Sequence, residues 1–223
     1  MHDNSTRLGV VALPVYGLLV FLSTLTHQPD PTTDFEAYAR YVSTGSYLVG
    51  HLIGSILGAT LGIFGAVSLG AYLAGTAASR SGLVAMVLNV AGLCLILTIF
   101  GMSTFATPAV GRAYLAGQEN IVAVNQDIIG APLILTALTG GLLYTAGTIV
   151  FGISIWRSGA LPRWAGVLYA PTGLLISIVG LTLGVAQTLG ALLTIAAGAW
   201  IFLSVMRGSS PKTAGTQAQS RVR

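Results

Sequence analysis

The chain has 223 residues, of which 54% are hydrophobic and only 7% are charged, and its mean hydropathy is +0.83. Soluble domains carry about 25% charged residues, so the few charges here cannot cover the surface of a soluble globule. The net charge of +4 comes from positive residues scattered along the chain, without the basic cluster typical of nucleic-acid binding. A soluble enzyme, a nucleic-acid-binding module and a disordered chain are therefore excluded.

Six apolar stretches are long enough to cross a bilayer, which requires about 20 helical residues for a hydrocarbon core of about 30 Å. Because lipid offers no hydrogen bonds to the backbone, such stretches must be helices. The predicted spans are residues 8–26, 46–73, 82–107, 128–155, 164–187 and 189–206. Residues 1–207 are thus predicted to form one all-α bundle of six transmembrane spans in the lipid bilayer. Residues 208–223, rich in Ser, Gly, Gln and Thr, are predicted to be a disordered cytoplasmic tail.

The positive charges predict the orientation of the bundle, because Lys and Arg accumulate in cytoplasmic connections. If the amino terminus is cytoplasmic, eight positive residues lie inside and only two, Arg40 and Arg112, lie outside. The eight are Arg7, Arg80, Arg157, Arg163, Arg207, Lys212, Arg221 and Arg223. The protein is therefore expected in the cytoplasmic membrane of the cell, with both termini in the cytoplasm.

The two longer connections, residues 26–45 and 108–127, are both predicted to be outside. Each contains enough apolar residues for a short helix at the headgroup level. They also carry most of the acids, Asp34, Glu36, Glu119 and Asp127. Two carboxylates brought together could perform acid–base chemistry on a lipid or hold a divalent ion, but their spacing does not predict such a pair. Solvated loop charges are the favoured interpretation.

Small residues recur every four positions along the second predicted helix. They are Gly50, Gly54, Gly58, Gly62, Ala66 and Gly70. Missing side chains at this spacing form a groove that lets another helix approach closely. A neighbouring helix of the same chain is the favoured occupant. A second copy, another membrane protein, and a lipid or ligand tail remain alternatives.

Polar residues at membrane depth are costly and often functional, and the predicted spans contain few of them. His51 lies near the outer end of helix two, Asn89 lies in helix three, and Gln187 lies near the outer end of helix five. His51 has the residue type for proton transfer or for metal or haem binding, but no second deep histidine accompanies it, so a structural role is favoured. Asn89 is expected to bond to another helix, and Gln187 to cap a turn. The one cysteine, Cys94, provides no disulfide or metal site, and no metal or cofactor is predicted.

The turn between the fourth and fifth predicted helices carries the sharpest motif. From Trp156 to Gly166 it reads Trp-Arg-Ser-Gly-Ala-Leu-Pro-Arg-Trp-Ala-Gly. In this turn the chain resembles a broad group of bacterial multi-pass membrane proteins of unknown function, in which an Arg-Ser-Gly, Leu-Pro-Arg-Trp turn joins two late helices. The resemblance implies a bundle of about six helices and a membrane location, and it implies no reaction.

Three hypotheses for function follow. The favoured one is a non-enzymatic membrane protein that acts by helix association or by binding or passage of a small apolar molecule. The second is a membrane enzyme that acts on a lipid or isoprenoid at the outer interface through His51, Glu36 and Asp127. An ion-coupled transporter is disfavoured because the spans lack ionised side chains.

Overall fold

The computed structural model describes residues 4–207, apart from residues 27 and 119, so the predicted tail at 208–223 lies outside the described residues. The described part is all-helical and contains no β-strand. Its elements are α1 (Asn4–Gly9), α2 (Ala12–Ser23), α3 (Phe35–Val42), α4 (Gly45–Gly50), a π-helical segment (His51–Leu57), α5 (Gly58–Leu73), α6 (Ser79–Leu115), α7 (Ile121–Ile128), α8 (Ala131–Ser158), α9 (Arg163–Tyr169), α10 (Thr172–Ser177), a 3₁₀ turn (Val179–Leu181) and α11 (Gly184–Arg207).

These elements build six helical stretches that are long and apolar enough to cross a membrane. They are Ser5–Ser23, Gly45–Leu73, Ser79–Leu115, Ile121–Ser158, Arg163–Leu181 and Gly184–Arg207, called the first to sixth spans below. The prediction of an all-α chain with six such spans is confirmed.

The six spans form a closed ring in chain order. Helix α2 packs against α5, α5 against α6, and α6 against α8; α8 packs against α9 and α10, these pack against α11, and α11 returns to α2. Large apolar side chains such as Phe105, Leu135 and Leu142 remain exposed on the outer wall of the ring. Hydrocarbon is the solvent in which such a surface is stable.

The two ends of the ring differ. One end carries α3 and the connections at residues 24–44 and 116–120, and it is called the α3 end below. The opposite end carries the tight turns near Arg80 and Arg157, together with Asn4 and Arg207, the first and last of the described residues. The largest apolar core lies towards this opposite end, where Leu73, Ile155 and Ile201 are completely buried.

The third span is longer than predicted, because α6 continues through Pro108 to Leu115. Proline removes one helical hydrogen bond and crowds the preceding turn, so Pro108 disfavours this continuation. In the structure, α3 packs along this extension: Phe35 contacts Tyr114 edge to face, with ring centroids 4.8 Å apart. A Cβ at Gly111 would lie 2.7 Å from Val42, so the two helices fit closely. This packing offsets the cost of the proline.

Proline lies at breaks within two of the spans. Pro171 separates α9 from α10, and Pro132 occupies the first turn of α8. At the Pro171 break the Thr148 hydroxyl of the fourth span lies 3.2 Å from the Ala170 carbonyl, and it accepts the Gly173 N–H at 3.3 Å. The Gly173 N–H at the start of α10 thus finds its acceptor on a neighbouring helix.

Small residues along the second span contact other helices of the same chain. A Cβ at Gly58 would lie 3.5 Å from Leu19 of the first span, and one at Gly62 would lie 3.1 Å from Leu93 of the third span. Gly54 and Gly70 also face the first and third spans, Ala66 is buried in the main core, and a Cβ at Gly50 would meet no atom within 4 Å.

Candidate functional site: two connected chambers

A central cavity of about 160 Å³ lies inside the ring, towards the α3 end. Every span contributes to its wall, through Tyr16, Gly54, Phe100, Tyr144, Ile176 and Gln187 among others. The wall is largely apolar, with Val20, Ile96 and Ile99 also facing the space. Because the chain closes into a ring, helices flank this space, which is nevertheless partly open, since Leu181 on its wall is 66% exposed.

A second, wider chamber of about 600 Å³ lies between the central cavity and the α3 end, and it is called the outer chamber below. Polar side chains are more frequent on its wall, and they include Thr24, Gln28, Tyr41, Ser46 and His51. Among the described residues, no Asp, Glu, Lys or Arg lines either chamber. The two chambers therefore form an uncharged path that becomes less polar with depth.

Five residues line both chambers and define the neck between them. These are Ser23, Gly54, Ser55, Phe100 and Gln187. The Ser23 hydroxyl donates to the Val20 carbonyl at 2.6 Å, so its oxygen can only accept a further hydrogen bond. The Ser55 hydroxyl and the Gln187 carboxamide have no hydrogen-bond partner among the described residues. The neck thus exposes two polar side chains with unused hydrogen-bonding capacity.

One wall of the neck belongs to the π-helical segment, residues 51–57. A π-helix is wider than an α-helix and occurs mostly in short pieces, frequently at functional sites. Glycines at positions 50, 54 and 58 flank and divide this segment, and none of its residues is fully buried. The widened turn places His51 on the wall of the outer chamber and Ser55 at the neck.

Two tyrosines close the deep side of the central cavity. The rings of Tyr16 and Tyr144 meet edge to face, with centroids 6.4 Å apart. The Tyr144 hydroxyl is completely buried and lies near the Tyr16 hydroxyl, but no atom of the described chain meets hydrogen-bond geometry with it. Sequence reasoning missed both residues. A tyrosine in the middle of an apolar span, far from the interface where tyrosine is common, is the signal that could have found them.

The three residues of the enzyme hypothesis have different surroundings. His51 lines the outer chamber, where its ring packs on Tyr47 with centroids 4.0 Å apart and its Nδ1 lies 3.1 Å from the Tyr47 carbonyl oxygen. A carbonyl can only accept, so Nδ1 donates and Nε2 is left as the free ring nitrogen. Glu36 is exposed on α3 and forms an ion pair with Arg40, and Asp127 is exposed on α7. Neither acid lines a chamber.

The remaining acids of the long connections stabilise local structure. The Asp34 carboxylate accepts the Ala37 N–H at 2.9 Å and so caps α3. Asp30 accepts both the hydroxyl and the N–H of Thr32, and these bonds hold the pKa of its carboxyl below the usual value. Glu119 lies outside the described residues. Within the described part, no three His, Cys, Asp or Glu side chains lie close enough to hold a metal ion.

The two other polar residues of the predicted spans have different environments. Asn89 is 1% exposed between the third and fourth spans, against Gly147, and its Nδ2 has no hydrogen-bond partner among the described residues. Gln187, expected at the end of the fifth span, lies instead in the first turn of α11 because the fifth span ends at Leu181. This shift of the helix boundary brings Gln187 to the neck.

No protein-family model, curated protein or solved structure matches this chain. The resemblance of the turn at residues 156–166 to a bacterial group therefore stays a prediction.

Proposed function

We propose that this protein is a non-enzymatic multi-pass protein of the cell membrane that binds, or allows the passage of, a small, largely apolar molecule inside its six-helix ring. The central cavity, lined by all six spans, is the observation that carries the proposal. Binding cavities are typically concave, mostly apolar and equipped with a few polar groups. The central cavity and its neck have this character.

The size and polarity of the central cavity define the class of molecule. A dry apolar cavity of about 150 Å³ in another protein holds benzene, so a cavity of about 160 Å³ fits a body the size of an aromatic ring or a short hydrocarbon segment. The described residues of the lining include no Asp, Glu, Lys or Arg that could pair with an ion. An uncharged, apolar ligand is therefore favoured over an ion or a charged metabolite.

The distribution of charge supports a cytoplasmic location for both termini. Five of the described arginines, at positions 7, 80, 157, 163 and 207, lie at the end opposite α3, whereas positions 40 and 112 lie at the α3 end. At the opposite end the Arg163 guanidinium lies over the Trp156 ring at 5.8 Å, and Trp156 contacts Trp164. Basic and aromatic residues combine in this way at membrane interfaces. The outer chamber then opens away from the cytoplasm.

The small-residue face of the second span is assigned to closing the ring. Leu19 and Ser23 of the first span lie against Gly58 and Gly54, and Met86 of the third span lies against Gly70. Since helices of the same chain fill this face from Gly54 to Gly70, that stretch offers little room for a second copy or a foreign helix. Association through the second span is the alternative, and a strictly monomeric detergent-purified protein would contradict it.

A tryptophan placed at the cavity tests the binding proposal. Leu181 lines the central cavity and is 66% exposed, so Leu181→Trp has room for its ring. The three native tryptophans, Trp156, Trp164 and Trp200, are exposed and are replaced by Phe in the reporter protein. Bromobenzene, whose heavy atom quenches tryptophan, is then titrated into the protein in detergent micelles. Saturable quenching is expected.

Two matched variants decide whether the quenching reports the cavity. Ala137→Phe fills the central cavity and should abolish saturation, whereas Ala131→Phe makes the same change on the same helix at an exposed position and should preserve it. Quenching that rises linearly with bromobenzene in all three proteins would show only partition into the micelle and would overturn the proposal.

A further inference from the structure

The neck between the chambers contains polar groups that the fold itself does not use. We propose that Ser55 and Gln187 bind an uncharged hydroxyl group of the ligand, whose hydrocarbon body occupies the central cavity. The protein would accordingly select an alcohol over the corresponding hydrocarbon. This inference rests on the proposed function, because it names the chemistry of the molecule that the ring binds.

The hydrogen-bonding inventory of the neck matches a hydroxyl. Ser55 offers one donor and two acceptor lone pairs, and the Gln187 carboxamide offers two donors and an acceptor. Neither side chain has a partner among the described residues, and the Ser23 oxygen can accept as well. A ligand hydroxyl both donates and accepts, so its chemistry complements both side chains. Because neither side chain bonds within the described part of the protein, a bound hydroxyl can pair with either one without breaking a hydrogen bond of the fold.

The lack of charged side chains among the described residues of both chamber walls argues against an ionised ligand. A carboxylate or ammonium group at the neck would lose its hydration and gain no opposite charge in exchange, since no described Asp, Glu, Lys or Arg lines either chamber. Transfer of an isolated ion into such a site is far more costly than transfer of a hydroxyl. His51, whose imidazole lies on the wall of the outer chamber, belongs to the same π-helical segment as Ser55, but it does not line the central cavity.

The polarity gradient sets the direction of binding. Below the neck, Val20, Ile96 and Ile176 line the central cavity, and above it Thr24, Ser46 and His51 line the outer chamber. An alcohol therefore inserts its hydrocarbon body first and leaves its hydroxyl at the neck. Ser55 and Gln187 come from the second and sixth spans, so the bound hydroxyl would bridge two helices that are not neighbours in the ring.

Two probes that differ by one group test this inference in the Leu181→Trp reporter. Bromobenzene lacks a polar group, and 4-bromobenzyl alcohol adds a hydroxymethyl group to the same quenching ring. We expect Ser55→Ala and Gln187→Leu each to weaken the affinity for the alcohol about fivefold, the magnitude of one uncharged hydrogen bond. The affinity for bromobenzene should change by less than about twofold, because the hydrocarbon makes no such bond.

A neighbouring variant and a charged probe serve as controls. Thr188→Val lies one residue after Gln187, and its native hydroxyl donates to the Gly184 carbonyl at 3.1 Å without lining a chamber, so both probes should bind as before. The anion 4-bromobenzoate should not saturate the reporter. Infrared spectra of the alcohol bound to the unmutated reporter should show an O–H stretch lowered by hydrogen bonding, which checks the contact without any change at the neck.

The outcomes separate this inference from the proposed function. Bromobenzene could quench the reporter saturably while each neck variant changes the affinities for both probes equally, or changes neither affinity. In that case the cavity binds apolar molecules and the assignment of a hydroxyl site is wrong. Tight binding of 4-bromobenzoate would also overturn it. If no probe saturates, the proposed function fails together with this inference.

Discussion

Gly152 and Gly166 bring the backbones of the fourth and fifth spans into direct contact. A Cβ at Gly152 would lie 2.6 Å from the Gly166 carbonyl oxygen, and a Cβ at Gly166 would lie 2.5 Å from that of Gly152. Real Cβ atoms are not found this close to a backbone oxygen, so only glycine fits at both positions. The same kind of approach joins Gly147 to the backbone of Asn89 on the other side of the fourth span. The fourth span is therefore held by close backbone contacts on both sides.

Replacement of Gly152 by Ala should destabilise the bundle, because the added methyl group meets backbone atoms that cannot rotate away. We expect the free energy of unfolding to fall by about 2 kcal/mol, the middle of the range for overpacking. This free energy of unfolding is measured by titration with sodium dodecyl sulfate in mixed micelles. Gly101→Ala is the matched control on a helix, since its Cβ would meet no atom within 4 Å. A loss of stability in Gly101→Ala equal to that in Gly152→Ala would contradict this account.

Thr148→Val should weaken the junction at Pro171. The variant keeps the shape of the side chain but leaves the Gly173 N–H and the Ala170 carbonyl without the Thr148 hydroxyl. A buried group that loses its partner costs about 1–3 kcal/mol, so the free energy of unfolding should fall by that amount and the Gly173 amide should exchange its hydrogen faster. Thr98→Val removes an exposed hydroxyl that bonds only within its own helix, to Leu95, and should leave both measurements unchanged.

Alkaline pH should release α3 from α6. Tyr38 is buried between these helices, and burial raises the pKa of its hydroxyl above the ordinary value of 10.0. Because the pKa is raised in the folded state, the stabilisation by neutral Tyr38 is complete below pH 10 and is lost as the pH rises through the folded pKa. The titration of Tyr38 is obtained by subtracting the tyrosinate absorbance of Tyr38→Phe from that of the native protein at each pH. The midpoint of this difference curve should lie above pH 10. The same difference in the unfolded chain should have its midpoint at 10, and equal midpoints would refute a buried Tyr38.

The exposed acids should be dispensable both for ligand binding and for the stability of the bundle. Glu36→Gln and Asp127→Asn remove charges that line neither chamber, so saturable quenching by bromobenzene and the free energy of unfolding should both stay as in the unmutated reporter. His51→Ala enlarges the outer chamber and should speed the access of the probe without removing saturation. If Glu36→Gln or Asp127→Asn instead abolished a lipid-modifying activity of a stable protein, the enzyme hypothesis would replace the binding proposal.

Cysteine labelling checks the proposed orientation. Cys94, which is exposed on the outer wall within the third span, is first replaced by Ala. In intact cells, a membrane-impermeant maleimide should then label Thr32→Cys and Asn120→Cys, which lie at the α3 end, but not Arg80→Cys or Ala160→Cys at the opposite end. The reverse pattern would place both termini outside the cytoplasm.

Composition and apolar length determined the class of this protein, because both are local properties of the chain. A run of about 20 apolar residues must become a helix in lipid whatever surrounds it, so the six spans were predictable from the sequence. The breaks at Pro132 and Pro171 were predictable for the same local reason, since proline disrupts the turn that precedes it.

Only the tertiary structure decided where those helices meet. The continuation of α6 past Pro108 depends on α3 packing along it, and the position of Gln187 depends on where the fifth span ends. Ser55 and Gln187 are 132 positions apart, and they share the neck because the sixth span closes the ring against the first. Contacts between distant segments produce no periodic pattern in a single sequence, so the cavity could be identified only from the packing of all six helices.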